Sequence, residues 1–154
     1  MGKSLRMPSS TLDIGAEEKQ LESILKQKVG SVRKNDHGLN TQWDAQLSYL
    51  LSTALANYEY ERVGGGNFAS IEFQHGIKNY VPEGHTFKAF PIQFTHYDTD
   101  RMVMHIAGSE VGRQVLNAKG DQCRHAIRVK IAAYPENVSA VWLMLAVRTR
   151  GALP

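Results

Sequence analysis

Residues 41–62 read TQWDAQLSYLLSTALANYEYER, and the reading of this stretch decides the fold. Trp43, Leu47, Leu50, Leu51, Ala54, Leu55 and Tyr58 recur at spacings of three and four, which places them on one side of a helix roughly six turns long. Such a stripe requires a partner surface. Thr41 stands where its hydroxyl can accept an early backbone N–H, and Asp44 occupies the matching capping-box position. Gly64-Gly65-Gly66 interrupts the helix afterwards.

Upstream, a second helical pattern runs from about Ala16 to Lys34, with Leu21, Ile24, Leu25, Val29 and Val32 on one face. Glu22 and Lys26 stand at i,i+4 in the favourable order. Asn35-Asp36-His37-Gly38 reads as a turn into the central helix, and residues 1–12, with no acidic side chain, read as a flexible basic arm. Residues 13–154 are then expected to form a single domain. Downstream, Asn67 can cap a third helix carrying Phe68, Ile71, Ile77 and Val81, which Pro82 stops.

After Pro82 the pattern alternates. Phe90, Ile92 and Phe94 share a face of an expected strand from Thr86 to Tyr97, and Pro91 suggests an edge position or a bulge. Met102, Met104 and Ile106 alternate with Val103 and His105, so a hairpin through Asp98-Thr99-Asp100 is expected. Ser109 caps a short helix to Ala118. Residues 123–134 and 138–149 give the strongest strand signal, joined by a compact turn at Pro135-Glu136-Asn137. Ile127, Val129 and Ile131 face one way, and Arg124, Arg128 and Lys130 the other. The last strand is apolar on both faces and belongs at the sheet centre. The fold class is α+β: N-terminal helices covering one face of a mainly antiparallel sheet that ends in a long C-terminal hairpin.

The pI near 9 invites a nucleic-acid reading. However, residues 1–34 carry seven Lys/Arg against four Asp/Glu, whereas residues 35–154 carry eleven of each. The excess is confined to the N-terminal part, so a nucleic-acid role through residues 1–34 and the strand stripe is the weakest of the functional readings. A lone Cys123, no leader-like start and no apolar run near the ~20 residues of a membrane span lead to the expectation of a cytosolic protein without a membrane partner.

The order and spacing of several pieces carry a family resemblance over about residues 20 to 150. They are Trp43, Leu47-Ser48-Tyr49-Leu50-Leu51-Ser52, Ala54-Leu55-Ala56, Tyr58-Glu59 and Glu61-Arg62, then Gly84-His85-Thr86-Phe87-Lys88, Phe90-Pro91-Ile92, Lys119-Gly120-Asp121-Gln122, Tyr134-Pro135-Glu136 and Ala140-Val141-Trp142. The chain resembles the C-terminal domain of the centrosomal protein of seventy-six kilodaltons. That resemblance implies a structural or adaptor role at the centrosome, centriole, basal body or ciliary axoneme, with tubulin, microtubules or centriolar and axonemal proteins as partners. The family's longer chains also carry C2-like and transglutaminase-like domains upstream. Neither has a counterpart in this sequence, so no catalytic residue carries over.

The residues themselves offer little chemistry. His85, His96, His105 and His125 fall on separate elements with no metal-ligand spacing, and the triple glycine lacks the Lys-Ser/Thr that a phosphate loop needs. Cys123 and His125 share a strand face, which makes a small Cys/His enzyme or ligand-binding domain the alternative, but no orienting group or oxyanion donor accompanies them. No catalytic, cofactor-binding or metal-ligating residue is therefore expected. What remains is a recognition surface: Arg124, Arg128 and Lys130 as a stripe on one strand, with Arg148 and Arg150 beside them if the hairpin registers about Pro135 to Asn137.

Overall fold

A computed structural model describes residues 11–55, 71–120, 122–133 and 139–151. The elements are α1 (Thr11–His37), α2 (Ala45–Leu55), α3 (Ile71–Tyr80), β1 (His85–Phe94), α4 (Thr99–Gly108), α5 (Glu110–Leu116), β2 (Arg124–Ala133) and β3 (Ser139–Arg150). The three strands form one antiparallel sheet in the order β1-β3-β2. Pairing of Arg124 with Arg148 through to Ala133 with Ser139 centres the hairpin on position 136, the register expected from the turn. The turn itself, the triple glycine, Asn67 and Phe68 lie outside the described residues.

The central strand is apolar on both faces, and both are covered. Val141, Leu143, Leu145 and Val147 join Ile127, Val129, Ile131, Phe90, Ile92 and Phe94 in a core against α1, α4 and α5. Trp142, Met144 and Ala146 join Ala126, Phe87 and Ala89 in a second core against α2 and α3. The sheet is thus sandwiched, not covered on one face as the sequence suggests. Once both faces of β3 are apolar, a single helical layer would leave one of them wet.

Two helices differ from expectation. Residues 99–108, read as the second strand of a hairpin, form α4: Asp98 caps it by accepting the Arg101 N–H at 3.1 Å, and the buried residues are Met102, Val103 and Ile106. That is a helical spacing, and it leaves Met104 72% exposed where an alternating strand would bury it with Met102. The central helix begins at Ala45, not Thr41. Asp44 is its cap, with its carboxylate accepting the Leu47 N–H at 3.0 Å and its carbonyl accepting from Ser48. Residues 42–44 lie alongside the β2 edge, where Trp43 bridges to His125. Thr41 instead accepts from the Arg33 Nε at 2.7 Å. Residues 56–62 of the expected helix lie outside the described residues.

α1 starts five residues before its expected first residue and runs to His37, where Gly38 takes a φ of +65° and reverses the chain. Leu21, Leu25 and Val29 are buried, with Val32 partly so. Near its C-terminus Arg33, 2% exposed, donates to the carbonyls of Leu116, Ala118 and Asn40 as well as to Thr41, and so ties α1, α5 and the 38–42 connection together. The Glu22–Lys26 pair read from spacing is replaced by a different partnership. Glu22 accepts the N–H of Val129 at 2.9 Å and Glu18 that of Ile131 at 2.8 Å, so α1 caps donors on the β2 edge. At the opposite edge, β1 carries Pro91, as its position requires.

The junction of α4 and α5 needs a glycine. A Cβ on Gly112 would stand 2.1 Å from the Ile106 carbonyl oxygen and 2.5 Å from the Ser109 Oγ that caps α5. Gly30, inside α1, has open space instead. Gly112→Ala should therefore cost about 2 kcal/mol or more despite its better helix propensity, whereas Gly30→Ala should stabilise by up to about 1 kcal/mol. Chemical denaturation of the two variants checks the opposite signs.

Candidate partner-binding surface

The five basic residues of the expected stripe occupy one face of the hairpin but differ in what holds them. Arg124 hydrogen-bonds the Gln42 side chain beside Trp43. Arg128, on the same edge, stands 3.7 Å from Glu22. Lys130 is the next residue of this face, near enough to Glu18 to favour its ionised form. Arg148 is structural: it donates to the Tyr80 carbonyl at the end of α3 (2.7 Å) and lies 3.8 Å from Asp44. Arg150 is exposed at the end of β3. The stripe therefore divides into the edge residues Arg124, Arg128 and Lys130, an internal Arg148 and a terminal Arg150.

Two grooves flank Trp43 next to this edge. One, of about 380 Å³, lies between the C-terminal half of α1 and the following connection and is lined by Lys26, Gln27, Lys34, Asn35, Asn40 and Trp43 among others. The second, of about 360 Å³, continues past Trp43 to Ser48, Tyr49, Asp44 and Arg128. Lys26 is common to both, its Nζ 6.0 Å from the Trp43 ring centroid. Tyr49 is 61% exposed and meets Tyr80 edge-on at 6.4 Å. Periodicity leaves Lys26 and Tyr49 off the apolar stripes, but it assigns Trp43 to the stripe of the central helix and gives no sign that the three residues line adjoining grooves. Asp44 followed by Leu47 is itself a cap signal, and it would have put Trp43 outside the helix.

The thiol–imidazole pair has the geometry of a packed core. Cys123 Sγ lies 4.0 Å from His125 Nδ1, and His125 Nε2 is 2.8 Å from the Val115 carbonyl. A carbonyl only accepts, so the proton resides on Nε2 and Nδ1 faces the thiol. Burial, reinforced by the Arg33 charge, pushes the fully buried His125 down to about 4. Burial pushes the Cys123 thiol up, against a smaller opposing pull from Arg33. Both directions disfavour a thiolate–imidazolium pair. Neither residue lines either groove. Among the described residues no group of three or more His, Cys, Asp or Glu is placed to hold a metal ion, and no helix is long and apolar enough to cross a membrane.

Comparison with known proteins agrees with the reading of residues 20–150. Residues 10–150 match the family model described as Centrosomal protein of 76 kDa C-terminal domain. Centrosomal protein of 76 kDa from Xenopus tropicalis is 45% identical over 144 residues, covering 94% of this chain and 22% of that protein. The Homo sapiens protein of the same name is 42% identical over 145 residues, with the same coverages. The chain thus spans less than a quarter of the length of these relatives. Among solved structures, an outer surface protein from Borrelia burgdorferi superposes with a TM-score of 0.61 at 15% identity, covering 97% of this chain and 99% of that one. At that identity the likeness is one of fold alone.

The depressed His125 has a signed consequence. Its folded value lies below its ordinary value of 6.5, so its contribution is fully present above about pH 6.5 and is lost as pH falls toward 4. The ceiling is about 3 kcal/mol. Denaturant titrations between pH 7.5 and 4 should show that loss, and an NMR titration should keep the His125 imidazole neutral until about pH 4.

Proposed function

The chain belongs to the family of the Centrosomal protein of 76 kDa C-terminal domain, and from that premise we propose that it is a non-catalytic structural or adaptor domain of the centriole, basal body or ciliary axoneme. The observation that carries this reading is the match over 94% of the chain to relatives named as centrosomal proteins. The protonated thiol and neutral, internally bonded imidazole support the non-catalytic half of the proposal. Its place is the cytoskeleton, at the centrosome or axoneme.

Attachment runs through the basic edge of the hairpin to an acidic partner, tubulin or a centriolar or axonemal protein. Arg124, Arg128 and Lys130 supply the charge, with Arg150 extending it. Arg148 holds the end of α3 against the cap of α2 and positions the surface without meeting the partner. Exposed charges of this kind contribute modest affinity each but steer association and make it sensitive to salt.

When ciliated cells are detergent-extracted and their axonemes and basal bodies washed with rising salt, the chain should stay with them until the microtubule walls come apart. Reversal of Arg124, Arg128 and Lys130 to Glu should release it at lower salt, with a cost to folding of about 1 kcal/mol per disrupted exposed pair at most. Departure of the unmodified chain with the detergent-soluble fraction would overturn the attachment reading. Unchanged retention of a folded triple variant would remove this edge from it.

A further inference from the structure

We propose that the paired grooves on either side of Trp43 seat an extended, glutamate- or aspartate-rich segment of a partner protein. The proposal rests on the attachment reading above and gives it a location and a ligand chemistry. Its first support is charge. Lys26 and Lys34 line the same groove, and neither has a carboxylate partner among the described residues: Lys26 stands over Trp43, and Lys34 reaches only the Asn40 side chain at 3.4 Å. The helical neighbour that would ordinarily neutralise Lys26, Glu22, has a side chain only 12% exposed and is turned to the Val129 N–H. Asp44 lines the second groove, but it is engaged by the Leu47 N–H and Arg148 and is 15% exposed.

Geometry sets the length of the segment. Lys26 and Lys34 are eight residues apart on α1, about 12 Å along its axis, and an extended chain covers that distance in about four residues. A tract of about four to six residues with acidic side chains at both ends can therefore engage Lys34 and Lys26 and continue past Trp43 to Arg128 in the second groove. Gln27, Asn35 and Asn40 offer amides to its backbone. The exposed Tyr49 and the Trp43 indole supply apolar contact between the charges. A nucleic acid fits less well. Lys26 stands over the Trp43 ring on which a base would stack.

The chain has two tryptophans, so its indole N–H groups report location directly: Trp43 lines the grooves, and Trp142 is 2% exposed between β3 and α2. In an NMR titration of the ¹⁵N-labelled chain with hexaglutamate at low salt, the Trp43 indole should shift and the Trp142 indole should not. A Lys26→Gln/Lys34→Gln double variant, which keeps the aliphatic stems, should melt as the parent does and bind hexaglutamate at least tenfold more weakly. An unmoved Trp43 indole, a double variant that binds as the parent does, or tighter binding of hexathymidylate than of hexaglutamate would each overturn the proposal. A chain that binds hexaglutamate at Trp43 yet washes freely from axonemes supports the groove and overturns only the attachment reading.

Discussion

Burial of β3 on both faces is the constraint from which the rest of the architecture follows. Residues 141–147 are all buried, alternating between two cores that share no side chain. A strand of this kind has no tolerance for a shift in register. One residue of slip would move Trp142 from the pocket of α2 and α3 into the core of α1, α4 and α5, where Leu143 now fits. It also demands helices above and below. The chain supplies them by passing α1 to one face, α2 and α3 to the other, and then returning through α4 and α5. The close approach of the second layer is visible at Gly76, where a Cβ would stand 2.4 Å from Leu50 Cδ1. A residue that weakens α3 by propensity is thus the one that lets α2 and α3 meet.

A three-stranded sheet has two edges, and they are handled by different means. On β1 the local device is Pro91, which removes a donor. On β2 the devices are tertiary: the 42–44 segment exchanges hydrogen bonds with His125, and Glu18 and Glu22 reach from α1 to the N–H groups of Ile131 and Val129. Half-burial makes Glu18 costly to ionise, and the Ile131 N–H and Lys130 oppose that cost. These carboxylates serve the sheet as hydrogen-bond acceptors while their usual helical partners turn elsewhere.

Periodicity makes α2, β1 and the C-terminal hairpin legible, because apolar residues make up most of what they bury, with His125 and Thr149 as the polar exceptions in the hairpin. It fails at residues 99–108, where Met102, Met104 and Ile106 satisfy a strand pattern and Met102, Val103 and Ile106 satisfy a helix. Three apolar residues fit both, and the decision rests on Asp98 as a cap and on which methionine faces the core. Thr41 and Asp44 are both plausible caps in sequence. Arg33, eight residues upstream of Thr41 and with a destination that no periodic pattern reveals, decides between them by taking the Thr41 hydroxyl. The basic edge is readable as a stripe of alternate residues, whereas the grooves beside it are not. They depend on α1 passing close to Trp43, a contact between elements whose sequence patterns are independent.

Residues 11–154 carry sixteen Lys/Arg against fifteen Asp/Glu, yet the fold presents a cationic face, and the reason lies in where its acids point. Glu18 and Glu22 are spent on the β2 edge, and Asp44 on the α2 cap and Arg148. Each carboxylate satisfies a backbone N–H that would otherwise be left unpaired at a helix start or a sheet edge, at a cost comparable to a lost hydrogen bond. The same acids are thereby withdrawn from the surface, since the side chains of Glu22 and Asp44 are 12% and 15% exposed. Lys26 and Lys34 keep no such internal duty and remain at the rim of the grooves. The cationic face is a by-product of how the fold satisfies its backbone: sequence charge counts do not tell the charges held internally, Glu22 and Asp44 but also Arg33 and Arg148, from Lys26 and Lys34 left beside the grooves. Any rearrangement that freed Glu22 from Val129 would return it to Lys26, four residues along the same helix, weakening the sheet edge and neutralising the groove together.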